Sequence, residues 1–290
     1  MASTSQTTPT GELFQLRRRS LANVPWWGVF LAAIGIFITY LIFSSQNYRE
    51  TFQYLVAGVI ITLRMTLIAF PIATVIGLIT GLMRTSKNVF LYNLSTIYVE
   101  AIRGIPLVVI LLYFAFGLMP VLVIVINQIG EWGLGWADAT ILVSFFTALT
   151  NFSTRSISYE FRAIIGLSIG YGAFEAEVFR AGIQSISKGQ MEAARSLGMT
   201  YMQAMRHIIL PQAIRRVLPP LGNDFIALLK DSSLATVLAV PELTQLGRLR
   251  RASTFRIMET FNMVAFLYLA MTLLLSAAVR FAERAFRIED

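Results

Sequence analysis

Long apolar runs separated by short basic gaps dominate the chain. Trp26–Phe43, Val56–Met83 and Leu107–Ile126 each approach or exceed the roughly 20 residues a helix needs to cross a bilayer at about 1.5 Å per residue. Neither a signal peptide nor a buried core helix explains so many of them. The pattern predicts six spans, at about 26–45, 54–83, 97–126, 160–184, 212–240 and 257–283. The second would measure about 43 Å as a helix against a hydrocarbon core of about 30 Å, so it should tilt or protrude. Pro71 should kink it, and Gly77 and Gly81 form a small-xxx-small pair that lets a neighbouring helix approach. The fifth run is interrupted near Lys230-Asp231. Segment 127–160 differs: it holds Trp132, Trp136, acidic residues and the stretch Ala139–Leu149. That stretch is too short to span comfortably and predicts an interfacial or re-entrant helix outside the membrane.

Composition agrees. Charged residues make up 14% and hydrophobic residues 56% of the 290 positions, with mean hydropathy +0.66, whereas a soluble domain carries about 25% charged residues. The net charge of +8 could suggest nucleic acid, but the basic residues sit in the gaps between apolar runs. That is the positive-inside pattern of a membrane protein and not a phosphate-binding stripe. Cysteine is absent, which excludes disulfides and thiolate chemistry, and the single histidine, His207, cannot build a zinc site. The charges orient the chain. Arg17–Arg19 place the N-terminus inside, and six spans return Arg284 and Arg287 to the same side. The gaps with Arg84 and Lys87, and with Lys188, Arg195 and Arg206, then also face the cytoplasm. Arg248, Arg250, Arg251 and Arg256 would fall outside, against the trend. The first run is expected to be a retained span and not a cleaved signal.

Chemistry-bearing residues concentrate in two places. The inner loop 185–211 contains a helix-favouring stretch that Glu192 opens and Pro211 ends. Met191, Ala194, Gly198, Met202, Met205 and Ile209 recur there at three- and four-residue steps as one apolar face. Small and pliable side chains suit insertion into a partner's groove, and suit equally an amphipathic helix lying on the lipid surface. The second place is the interior of the spans, where a charge is expensive and usually functional. Glu177, with Glu175 nearby, lies on the fourth span, Arg103 opens the third, and Asn223, Asp224, Lys230 and Asp231 lie on the fifth. The break at Lys230-Asp231-Ser232-Ser233 stands some 27 Å along a helix from Pro211, where unwound backbone could meet a zwitterionic solute. In the plainer alternative, Lys230 and Asp231 pair with each other or with a neighbouring helix as structure.

Motif spacing separates the readings of the loop. Glu192-Ala193-Ala194, then Gly198, Ile208, Leu210 and Pro211, resembles the EAA loop of ABC importer permeases. Tyr98-Val99-Glu100-Ala101-Ile102-Arg103-Gly104-Ile105-Pro106-Leu107, Glu175-Ala176-Glu177-Val178-Phe179-Arg180, Leu218-Pro219-Pro220-Leu221-Gly222-Asn223 and Leu229-Lys230-Asp231-Ser232-Ser233-Leu234 resemble the histidine/glutamine/arginine-type branch that takes up polar amino acids. The resemblance covers roughly residues 54–120 and 160–285. It implies an all-α polytopic type I ABC importer transmembrane fold of about six spans, a five-helix core plus an extra N-terminal helix. Residues 1–50 would be a cytoplasmic tail and that extra helix. Residues 51–290 would be the transmembrane domain, with extracellular insertion 127–160 and coupling loop 185–211. Ala173-Phe174 stands where the family has Ala-Tyr.

The resemblance assigns ATPase coupling to Glu192, Ala193, Ala194, Gly198, Ile208, Leu210 and Pro211. Glu177, Asn223, Lys230, Asp231 and Ser232 become substrate-pathway candidates, and Glu100 and Arg103 brace the coupling region. No G-x-x-x-x-G-K-[ST] phosphate loop occurs, so ATP and Mg are expected on a separate ABC ATPase dimer, with no cofactor held by this chain. Further expected partners are a second permease, favoured as a different chain, an extracytoplasmic amino-acid-binding protein and membrane lipid, but no nucleic acid. The expected location is a bacterial inner membrane. An ATP-independent transporter or channel is the alternative; it has no use for a docking helix. A membrane enzyme finds no gathered His, carboxylate pair or nucleophile.

Overall fold

The computed structural model describes residues 26–136 and 139–286, and every regular element among them is helical. The expectations for Arg17–Arg19, Arg287 and the N-terminal tail lie outside these residues. The chain divides into two units, Met1–Glu50 and Thr51–Asp290.

In the first unit, α1 (Trp26–Ser44) is apolar on all sides, with Phe30, Phe37, Tyr40 and Phe43 all exposed. A helix without a polar face belongs in hydrocarbon. Thr39 Oγ1 donates to the Gly35 carbonyl at 2.8 Å and the Arg49 guanidinium to the Phe43 carbonyl at 2.6 Å, so polar groups at this level are answered within the unit.

The other helices are α2 (Gln46–Arg84), α3 (Val89–Arg103), α4 (Leu107–Leu134), α5 (Thr140–Thr150), α6 (Tyr159–Gln184), α7 (Lys188–Ser196), α8 (Leu210–Asp231), α9 (Leu243–Thr254) and α10 (Ile257–Phe286). Among the described residues, α2, α4 and α10 (to Arg284) are long and apolar enough to cross a membrane. Helices α6 and α8, with 26 and 22 residues, occupy the fourth and fifth predicted spans with more polar composition. Small residues hold the centre. A Cβ on Gly77 would stand 2.7 Å from Glu175 Cβ and 3.1 Å from the Ala176 nitrogen, and one on Gly81 would stand 2.8 Å from the Ala176 carbonyl. Helices α2 and α6 therefore meet backbone to backbone, as the glycine pair predicts. Met65, Ala69, Leu111, Leu167, Tyr171 and Leu228 form the core around that contact.

Several boundaries differ from expectation. Helix α2 runs through Pro71 without interruption and spans 39 residues, about 58 Å. The predicted span 97–126 is divided. Helix α3 ends at Arg103, Gly104 caps it, and α4 begins after Pro106. Proline removes a donor and pushes Ile105 away from helical dihedrals. Arg103 thus closes α3 and does not open the next span. Helix α4 runs on to Leu134, taking the first residues of the predicted insertion. Helix α5 then folds back along it: a Cβ on Gly130 would meet the Thr150 nitrogen at 2.6 Å, and one on Gly133 would meet Phe146 Cδ1 at 2.2 Å.

A π-helical turn, Tyr113–Leu118, interrupts α4, and a buried cation answers it. Arg162, 6% exposed, donates to the Ala115 carbonyl in that turn at 3.1 Å, to Ile157 at 3.2 Å and to Thr154. Its guanidinium lies 4.8 Å from the Tyr159 ring centroid. One side chain thereby ties α4, the 154–157 loop and α6 together.

Candidate coupling surface and translocation site

The loop after α6 is two short helical pieces around a capped turn, not the single helix that the periodicity predicts. Ser187 caps α7, its Oγ accepting from the Gly189 nitrogen at 3.2 Å. After Leu197 the chain reverses at Gly198, whose φ of +84° lies in the left-handed region that favours glycine. The Gly198 nitrogen donates to the Arg195 carbonyl at 3.0 Å and the Met199 nitrogen to Ala194 at 3.1 Å. Thr200 then opens the next turn with a reciprocal cap: its Oγ1 accepts from the Gln203 nitrogen at 3.3 Å, while its own nitrogen donates to Gln203 Oε1 at 2.8 Å. Tyr201–Ala204 and a π-turn, Met205–Ile209, lead into α8. Pro211 therefore does not end a helix; it stands in the first turn of α8, where its missing N–H is not needed.

The predicted apolar face is split accordingly. Ala194, Ala204 and Ile209 are buried, and Met191, Met205 and Ile208 pack with Ile186, Ile209 and Ala213 against the end of α6. Leu197, Tyr201 and Met202 point the other way, 81%, 55% and 70% exposed. Glu192, Ala193, Gly198, Leu210 and Pro211 are also exposed. Of the seven residues assigned to coupling, Ala194 and Ile208 seat the segment and five face outward.

Above this segment the ends of three helices carry an ion cluster. Arg84, closing α2, pairs with Glu177 of α6 at 2.9 Å and with Glu100 of α3 at 3.1 Å. Glu177 also pairs with Arg180, which donates to Gln184 at 2.5 Å. Glu177 thus sits in a brace with Glu100, and the Arg84 side chain is only 9% exposed. Arg103 stays outside the brace, 5.9 Å from the Phe174 ring centroid.

Farther along α8 the helix gives way at Asp231 to a 3₁₀ segment, Ser232–Leu238. Asp231 accepts from the Tyr171 hydroxyl at 2.7 Å. Ser232 is buried, with its hydroxyl donated to the Leu229 carbonyl at 2.7 Å. Lys230 and Asn223 are exposed. Among the described residues no carboxylate pairs with Lys230 within 4 Å, so Asp231 is held by a tyrosine and not by its neighbouring lysine. The chain then turns at Ala239, with φ of +56°, and Glu242 caps α9 by accepting from the Thr244 and Gln245 nitrogens at 2.8 and 2.9 Å. Tyr268 of α10 donates to the same carboxylate at 3.0 Å. The sequence does not single out Tyr171, Arg162 or Glu242, and it marks Arg84 only as an orienting charge. Each is an isolated polar residue at the edge of or inside an apolar helix, and only its partner, often far off in the chain, gives it meaning.

The helices long and apolar enough to cross a membrane belong to a core that ends in a capped knob, seated through Ile186, Ile209 and Ala213. Residues 73–288 match the family described as the binding-protein-dependent transport system inner membrane component, and the chain belongs to that family. It is 39% identical over 81% of its length to a probable glutamine ABC transporter permease protein, GlnM, of Bacillus subtilis (strain 168), covering 94% of that protein. It is 34% identical over 81% of its length to the glutamine transport system permease protein GlnP of Escherichia coli (strain K12), covering 93% of it. Its fold superposes on a crystal structure of an amino acid ABC transporter with histidines at a TM-score of 0.63, with 33% identity, over 80% of this chain and 94% of that one. The fold is the type I ABC importer transmembrane fold, and the chain is a permease subunit; ATP hydrolysis belongs to a separate subunit.

Proposed function

We propose that this chain takes up polar amino acids across a bacterial inner membrane, together with an ABC ATPase dimer, a second permease and an external binding protein. The observation that carries the mechanism is the capped turn around Gly198, which holds Leu197, Tyr201 and Met202 in the open. Apolar residues kept exposed on a preset bend suit a cleft in a partner. When the ATPase subunits close, movement of this knob passes through the Ile186–Ile209–Ala213 cluster into α6 and α8. Glu192 and Ala193 lie on the same exposed side and complete the docking surface with Gly198, Leu210 and Pro211. ATP and Mg are held by the ATPase, and this chain supplies no cofactor site.

The solute path runs between α6 and α8. Asp231, oriented by Tyr171 at the end of α8, offers a carboxylate to an amino group. Lys230 and the 3₁₀ segment that begins at Ser232, and not an unwound backbone, lie beside it, and Asn223 lies farther along α8 toward the knob. Both termini are placed in the cytoplasm by the basic gaps. The added first helix favours a different chain as the second permease. Glutamine transport is named for two relatives, and the amino-acid class comes from them and from the motifs.

The test is ATP hydrolysis by the reconstituted complex, stimulated by binding protein and each amino acid in turn. Stimulation by polar amino acids is expected; stimulation by sugars or oligopeptides alone would sink the assignment. Glu192→Lys should abolish stimulated hydrolysis while the permease remains in the membrane.

A further inference from the structure

Between the knob and the break at Asp231 lies a cavity of about 530 Å³, lined among others by Arg103, Phe174, Glu177, Arg216, Pro220 and Asp224. Small-molecule sites usually occupy about 300–1,000 Å³. Four of these six residues are charged, and their partners differ. Glu177 is already neutralised by Arg84 and Arg180, and Arg216 donates to the Ser185 carbonyl at 2.6 Å. Arg103 and Asp224 form no ion pair within 4 Å among the described residues. Asp224 Oδ2 is buried without a hydrogen-bond partner. An exposed cation and a partly buried anion left open around one cavity favour a ligand that brings both complementary charges.

We propose that this cavity is a second binding site for the ammonium and carboxylate groups of a free amino acid, on the exit side of the path. It rests on the reading of the chain as an amino-acid permease. Asp224 receives the ammonium and Arg103 the carboxylate, with the apolar ring of Phe174 beneath the guanidinium. Seven residues of α8, about 10 Å, separate Asp224 from Asp231, so the two sites hold separate molecules. The inner site reads only the head group. An amino acid released from Asp231 is held once more before it reaches the cytoplasm, and a high internal concentration fills this site first and slows further release.

Equilibrium binding of radiolabelled L-glutamine to the detergent-solubilised permease–ATPase complex, without binding protein, tests this. Because the inner site ignores the side chain, L-glutamine probes it whatever the Asp231 site prefers. Asp224→Asn and Arg103→Gln should each weaken one class of site at least about tenfold. Asp231→Asn should leave that class intact, and L-glutaminamide, which lacks the carboxylate, should compete poorly for it. If Asp224→Asn does not assemble with its ATPase, Arg103→Gln decides alone. Binding that Asp231→Asn abolishes entirely, or that neither other substitution alters, overturns the second site while leaving the permease reading in place. Failure of every amino acid to stimulate hydrolysis overturns both.

Discussion

Replacing Gly198 with alanine isolates the role of the bend. A Cβ at this position meets nothing within 4 Å, and φ is +84°. Steric clash therefore contributes nothing, and the whole effect is the left-handed backbone, which disfavours an L-residue by about 1–2 kcal/mol. That corresponds to a factor of roughly 5–30 in the balance between the native bend and its alternatives. The surrounding hydrogen bonds, Gly198 to Arg195 and Met199 to Ala194, would be lost in those alternatives, and Leu197 and Met202 would no longer share one knob. Gly198→Asn is the control, because asparagine tolerates the left-handed region better than alanine does. The assay is ATP hydrolysis by the reconstituted complex with and without binding protein, alongside the amount of permease in the membrane. Gly198→Ala should lower stimulated hydrolysis severalfold at unchanged membrane level, and Gly198→Asn should recover part of it. If alanine behaves as wild type, or if asparagine is the worse of the two, backbone conformation is not what glycine supplies here.

Gly77→Leu should destabilise the protein by more than about 3 kcal/mol and largely abolish accumulation, since the added Cβ meets Glu175 Cβ and the Ala176 nitrogen and backbone cannot yield. Gly35→Leu, where a Cβ meets nothing within 4 Å, should accumulate normally; equal outcomes by quantitative blotting would refute the close α2–α6 contact. Arg162→Met leaves the carbonyls of Ala115, Ile157 and Thr154 without their charged donor and should destabilise by at least about 3 kcal/mol. Amide exchange in residues 150–160 should accelerate more than exchange in α10; uniform acceleration would show that the clamp is not local.

The sequence announced what depends on local pattern. The apolar runs locate α2, α4 and α10, and Gly77 and Gly81 announce a close helix contact. Pro71 and Pro106 show the limit of such reading. The same residue type is carried inside α2, whereas Pro106 follows a helix that has ended at Arg103 with Gly104 as its cap. Periodicity joined Met191, Ala194, Gly198, Met202, Met205 and Ile209 into one face because a helical wheel assumes an unbroken helix. One glycine in the left-handed region divided that face into a seat and a knob. Glu177 reads from the sequence as a charge awaiting solute, but it is paired with Arg180 three residues on and with Arg84, which lies 93 residues away. Asp231 was correctly placed at the break of α8, yet Tyr171, 60 residues earlier, was invisible as its partner.

The docking of the knob on the ATPase is tested most directly by co-purification of the two subunits when Leu197 and Met202 are replaced together by aspartate. Both side chains are largely exposed, so the permease itself should fold and insert as before. Loss of the ATPase from the purified permease, with loss of stimulated hydrolysis, is the expected result. A complex that stays intact and hydrolyses ATP at the wild-type rate would show that the force enters the membrane domain somewhere else.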